Sequence, residues 1–132
     1  MTFGPEAQMR GAASILVVED SDSLRRTLCE VLAEALPGVS ILEARSCEEA
    51  SAFLLKAVPD VLLTDICLPG KNGLALAQEV KSRYPRLPVI IHTHYNMPEY
   101  REAADAIGVD LFLVKGTIHL DRLSQLIGEF FV

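Results

Sequence analysis

Five short apolar runs alternate with stretches of helical periodicity, and that alternation restricts the fold of this chain more than any other feature. The runs are Ser14–Val18, Val39–Ala44, Val61–Thr64, Val89–His92 and Leu111–Val114. Each is too short for a helix, is rich in β-branched and leucine side chains, and reads as a strand of a covered sheet. Between them, Leu24, Leu28, Val31, Leu32 and Ala35 recur at helical spacing behind the cap candidates Ser21 and Asp22, until Pro37-Gly38 stops the pattern. Ser46-x-x-Glu49 is a capping-box signature for a second helix ending before Pro59. After a loop carrying Leu68-Pro-Gly-Lys-Asn-Gly73, a third helix places Leu74, Ala77, Val80 and Tyr84 on one face and closes at Pro85 and Pro88. Pro98 suits the first turn of a fourth helix to about Ile107, with Gly108 as its C-terminal cap. Leu120, Leu123, Ile127 and Phe130 form the apolar stripe of a fifth, whose first turn takes in His119. Parallel strands need helical crossovers, and these are right-handed, so the expected fold is a doubly wound α/β sheet.

With 132 residues the chain has room for one domain, and at that size it needs no disulfide or metal to stabilise its core. Three scattered cysteines, Cys29, Cys47 and Cys67, form neither a disulfide framework nor a zinc knuckle, which fits a reducing compartment. The start of the chain lacks the pattern of a secretory signal and no run is long enough for a membrane helix, so a soluble cytoplasmic protein is expected. Eighteen acidic against twelve basic residues give a net charge of -6 with no basic stripe, which argues against direct nucleic-acid binding.

In a sheet of this kind the site lies beyond the carboxyl ends of the strands. There the sequence puts Glu19-Asp20 after the first strand, Asp65 after the third, Thr93 after the fourth and Lys115 after the fifth. Taken singly, each has an ordinary reading: an acidic pair opens a helix, an Asp makes a turn, and a lone Thr or Lys carries no information. Taken together, they supply clustered carboxylates that a divalent cation would keep ionised, a hydroxyl and an ammonium. That is equipment for phosphoryl transfer, with Asp65 as a candidate nucleophile forming an aspartyl phosphate.

The segments Val17-Val-Glu-Asp20, Pro59-Asp-Val-Leu-Leu-Thr-Asp65-Ile-Cys-Leu-Pro-Gly-Lys-Asn-Gly73, Leu87-Pro-Val-Ile-Ile-His-Thr93 and Leu111-Phe-Leu-Val-Lys115 together resemble the receiver domain of two-component response regulators. The resemblance implies a flavodoxin-like (CheY-like) sheet in 2-1-3-4-5 order with five helices, filling residues 14–132 behind an extension at 1–13. It implies that Asp65 accepts a phosphoryl group and that Asp20, Asp65 and the backbone carbonyl of Cys67 hold Mg²⁺, or Mn²⁺ in its place, with Glu19 supporting through water or a longer reach. Thr93 and Lys115 would hold phosphoryl oxygens, Phe112 would turn as Thr93 moves, and Pro69 and Gly73 would shape the loop. The implied partners are a sensor histidine kinase or phosphotransfer protein, a second copy in a homodimer, and an output domain outside this chain. The stretch His94–Tyr100 and the non-proline after Lys115 are similar to receivers preceding a LuxR/NarL-type helix-turn-helix. The acyl phosphate would act as a switch and not as a metabolic intermediate.

Four residues, in three places, depart from the family pattern. Gly116 replaces a proline, and a cis bond there would cost about 2.5 to 4 kcal/mol without one, leaving the local backbone open. His94 replaces a small residue beside the phosphoryl approach. Cys67 and Tyr95 occupy the positions that tune acyl-phosphate lifetime. Other readings fit less well. A haloacid-dehalogenase-type phosphatase would need an Asp where Cys67 stands, and a flavodoxin would need a phosphate loop where Glu19-Asp20 stands. A zinc site from His92, His94, Cys67 and Asp65 conflicts with Thr93 owning the site face. The remaining alternative is a degenerate receiver working as a phosphate-independent interaction module.

Overall fold

The structure is a computed structural model that describes residues 13–131, so the expected 1–13 extension, apart from Ala13, lies outside the described residues, as does Val132. Strands β1 (Ser14–Val18), β2 (Ser40–Ala44), β3 (Val61–Thr64), β4 (Val89–Thr93) and β5 (Leu111–Val114) form one sheet in the order β2-β1-β3-β4-β5. All four pairings are parallel. Helices α1 (Asp22–Ala35), α2 (Cys47–Lys56), α3 (Gly73–Arg83), α4 (Pro98–Ile107) and α5 (Leu120–Gly128) supply the crossovers and the final cover, followed by a 3-10 turn at Glu129–Phe131.

Local chemistry sets the helix ends. Ser21 Oγ accepts the Leu24 N–H at 3.3 Å and Ser46 Oγ accepts the Glu49 N–H at 3.2 Å, each relieving an orphan donor of the first turn. Glu49 reaches back to the N–H of Arg45, one residue earlier than a standard capping box, at 2.9 Å. Gly108 ends α4 in the left-handed region, φ 96°, where its N–H bonds the carbonyls of Ala104 and Asp105. His119 is the N-cap of α5 and so stands just before the first turn where it was expected.

Side chains alternate across the sheet. Leu16, Val18, Leu62 and Val89 pack under α2 and α3 with Ala50, Leu76, Ala77 and Val80. Ile15, Val17, Leu63 and Ile90 pack under α1 and α5 with Leu28, Leu32, Leu123 and Ile127. A smaller cluster of Ile66, Ile91 and Ala104, joined by Tyr100 and Phe112, lies beneath α4. One expected stripe is widened and another corrected. In α3 Ala77 and Val80 are buried and Leu74 and Tyr84 pack half-buried against the core as expected, and Gly73 and Leu76 join the buried face. The stripe begins on a glycine, which carries no apolar side chain to reveal it. At the C-terminus Phe130, in the 3-10 turn, is exposed and Phe131 packs on the core instead. Among the described residues no helix is long and apolar enough to cross a membrane.

Candidate functional site

The parallel register puts the ends of β1, β3 and β4 side by side. Val18 pairs with Thr64, Thr64 with Ile91, and Thr93 with Val114. The residues that follow, Glu19, Asp65 and Lys115, therefore meet at one edge. The Lys115 ammonium donates to Glu19 Oε1 and to Asp65 Oδ2, both at 2.7 Å. Glu19 is 3% and Asp65 6% exposed, so this is a buried ion triad rather than a surface pair. Burial alone would push the Lys115 ammonium down, but its hydrogen bonds to Asp65 and Glu19 outweigh that and hold its pKa above the ordinary lysine value.

The Asp65 carboxylate is oriented from the other side by backbone. Its Oδ1 accepts the N–H of Ile66 at 2.7 Å and of Cys67 at 3.3 Å. One oxygen is thus fixed by two amides of its own loop and the other faces a cation. Gly116 follows with φ +84°, and the chain turns there through Thr117 N–H to Val114 C=O at 3.2 Å. The Lys115–Gly116 bond is trans; glycine makes the turn after the lysine by entering the left-handed region.

Asp20 is exposed at the end of β1, outside the triad. Among the described residues no three acidic, histidine or cysteine side chains form a ready metal cage. Glu19 and Asp65 nonetheless offer carboxylate oxygens, the donor type a hard divalent cation takes, and in this arrangement they share the Lys115 charge. Thr93 is fully buried, and its Oγ1 accepts the Tyr95 N–H at 3.2 Å, tying it to the loop before α4. Cys67 is exposed and its Sγ lies 3.5 Å from the Tyr95 hydroxyl. Phe112 is half-buried beneath α4, and His94 is exposed.

Arg25 is a participant that periodicity did not reveal. It is 7% exposed, and its guanidinium donates to the Glu19 carbonyl at 2.7 Å, to Asp22 at 2.6 Å and to Glu43 at 3.0 Å. This clamp fixes the peptide that carries the acidic pair. A signal existed: an arginine at a core-facing position of α1, between Leu24 and Leu28, five residues after Asp20.

His92 is 4% exposed and its buried Nδ1 has no hydrogen-bond partner. Burial, then the Lys115 charge, pushes its pKa down to about 4. An unfolded imidazole titrates near 6.5, so between those values the unfolded chain binds a proton that the folded chain does not. Stability is therefore expected to fall as pH drops through that window, by about 3 kcal/mol at full extent. Denaturant melts at pH 7.5 to 4.5 check this against His92→Val, which should lose stability less steeply. Equal slopes would contradict it.

Comparison with known proteins agrees with this geometry. Residues 15–128 match the family described as the response regulator receiver domain. The DNA-binding transcriptional regulator NtrC of Salmonella typhimurium is 43% identical over 82 residues, 62% of this chain and 17% of its own length. The chain thus spans about a sixth of that curated relative. Among solved structures, the Mn²⁺-bound form of response regulator Rcp1 superposes with a TM-score of 0.79 at 28% identity, covering 90% of this chain and 94% of that one. A DNA-binding response regulator of the LuxR family from Staphylococcus aureus has a TM-score of 0.82 at 24% identity, over 89% of this chain and 98% of that one, and shares the fold. With its sheet order, its acidic edge and a family match running from Ile15 to Gly128, the chain belongs to the response regulator receiver domain family.

Proposed function

We propose that Asp65 is the phosphoacceptor of a two-component phosphorelay and that its phosphorylation switches a protein-interaction surface. The observation that carries this reading is the Asp65 carboxylate, buried, with Oδ1 held by two backbone amides and Oδ2 on Lys115 at 2.7 Å. Oδ2, free of backbone donors, attacks the phosphorus of a phosphohistidine on a sensor kinase or phosphotransfer protein. The new P–O bond forms as the P–N bond breaks, and the imidazole leaves with a proton. Lys115 then passes its hydrogen bond from Asp65 to a phosphoryl oxygen, and the Thr93 hydroxyl turns from Tyr95 to another. Glu19, Asp20, Asp65 and the Cys67 carbonyl are the residues that would hold Mg²⁺, or Mn²⁺ in its place. That ion supplies neutralising charge to the donor's phosphoryl oxygens.

Hydrolysis of the acyl phosphate by the domain itself resets the switch, so the chain works as a signalling element rather than a metabolic enzyme. Its surroundings are the cytoplasm, and its output runs through an output domain, a homodimer, or both, in transcription regulation. A phosphate-independent role draws no support from an acceptor carboxylate buried beside its lysine. Acetyl phosphate with Mg²⁺ should add one labile phosphoryl group to the chain, read as intact-protein mass. Excess chelator should stop it, and labelling at an equal rate with chelator present would refute the metal requirement.

A further inference from the structure

One side chain bridges the two moving parts that the proposed switch needs, and it belongs to neither. Arg101, exposed on α4, stacks its guanidinium over the Phe112 ring with the central carbon 4.7 Å from the ring centroid. From the same group, Nε donates to Asn96 Oδ1 at 2.9 Å. Asn96 lies in the loop that begins at Thr93, and that loop is fastened further by the Tyr95 N–H on Thr93 Oγ1 at 3.2 Å and by Tyr95 stacked on Tyr100 at 5.3 Å. Arg101 therefore grips the Thr93 loop with its edge and the Phe112 ring with its face. Only a planar guanidinium does both at once; an ammonium is a point charge without a stacking plane.

We propose that Arg101 is a latch holding the unphosphorylated arrangement, a positioning residue that acts through Asn96 and Phe112. The inference rests on the phosphoacceptor reading above. When the Thr93 hydroxyl leaves Tyr95 for a phosphoryl oxygen, the loop carrying Asn96 moves and Phe112 turns into the vacated space. Arg101 cannot follow both, so a contact present in one state is lost in the other. A contact made in one of two states biases the equilibrium toward that state by its own strength. An exposed cation–π contact is worth a factor of about two to five in such an equilibrium.

The test titrates the full chain with beryllium trifluoride and Mg²⁺, an acyl-phosphate mimic, and follows the Thr93 amide and the Phe112 ring by NMR. Arg101→Ala should lower the half-saturating concentration about two- to five-fold. Before any beryllium is added, its Phe112 signals should already be displaced toward the saturated position. Arg101→Lys should behave like Arg101→Ala, and Asn96→Ala should move the same way by less. Half-saturation unchanged or raised in Arg101→Ala overturns the latch, as does wild-type behaviour in Arg101→Lys. A wild-type chain that saturates normally while the variants match it overturns the latch alone. A wild-type chain that never responds overturns the phosphoacceptor reading and the latch with it.

Discussion

Asp65→Asn is expected to abolish labelling by acetyl phosphate completely while leaving the chain folded. The amide oxygen of Asn can still accept from the Ile66 and Cys67 N–H groups that now hold Asp65 Oδ1 at 2.7 and 3.3 Å, so the loop keeps its shape. The other end of the side chain becomes an NH₂ group, which neither attacks phosphorus nor accepts from Lys115. Lys115 retains Glu19 at 2.7 Å, so the buried cation is not stranded and the triad contracts to a pair. Stranding a buried charge would cost about 3 to 5 kcal/mol, and this variant avoids it. Circular dichroism should be unchanged and the labile mass gain absent. Persistent labelling of Asp65→Asn would move the acceptor elsewhere and remove the basis of the proposed function.

Much of the fold is legible in the sequence because its signals are local. Ser21, Ser46, Pro98 and Gly108 each announce a helix end through chemistry that needs no tertiary context, and all four stand where they announce. The placement of Glu19, Asp65 and Lys115 at one edge is legible for a different reason: a parallel sheet forces the carboxyl ends of its strands to a common side. What the sequence conceals is set by non-local partners. The partners that hold Arg25 at its core-facing position stay hidden until Glu43 on β2 and the Glu19 carbonyl are brought to it from 18 and 6 residues away. The direct contact of Glu19 with Lys115 depends on β5 arriving 96 residues later. Arg101 offers no periodic signal because its partners, a ring on β5 and a loop amide, meet it only once α4 is docked.

Gly73→Ala is expected to destabilise the domain by about 4 kcal/mol or more, a loss at the upper end for one methyl group. A Cβ at Gly73 would stand 1.8 Å from the Asp65 carbonyl oxygen, 2.7 Å from its carbon and 3.0 Å from Ile66 Cα. All three are backbone atoms, so no flexible side chain can yield. The Gly73 N–H also donates to the Ile66 carbonyl at 2.9 Å, which pins the start of α3 against the peptide that follows Asp65. Moving the helix start would release that bond and drag the Ile66 N–H that orients the Asp65 carboxylate. Stability and labelling should therefore fall together. The contrast is Gly116→Ala, where nothing lies within 4 Å of the added carbon and the cost is only that of a left-handed alanine, about 1 kcal/mol. Denaturant melts of both variants, with acetyl phosphate labelling under conditions where each stays folded, separate the two costs. A loss under about 1 kcal/mol in Gly73→Ala would mean that α3 can slide away freely. In that case its contact with the Asp65–Ile66 peptide would not be what holds Asp65 in place.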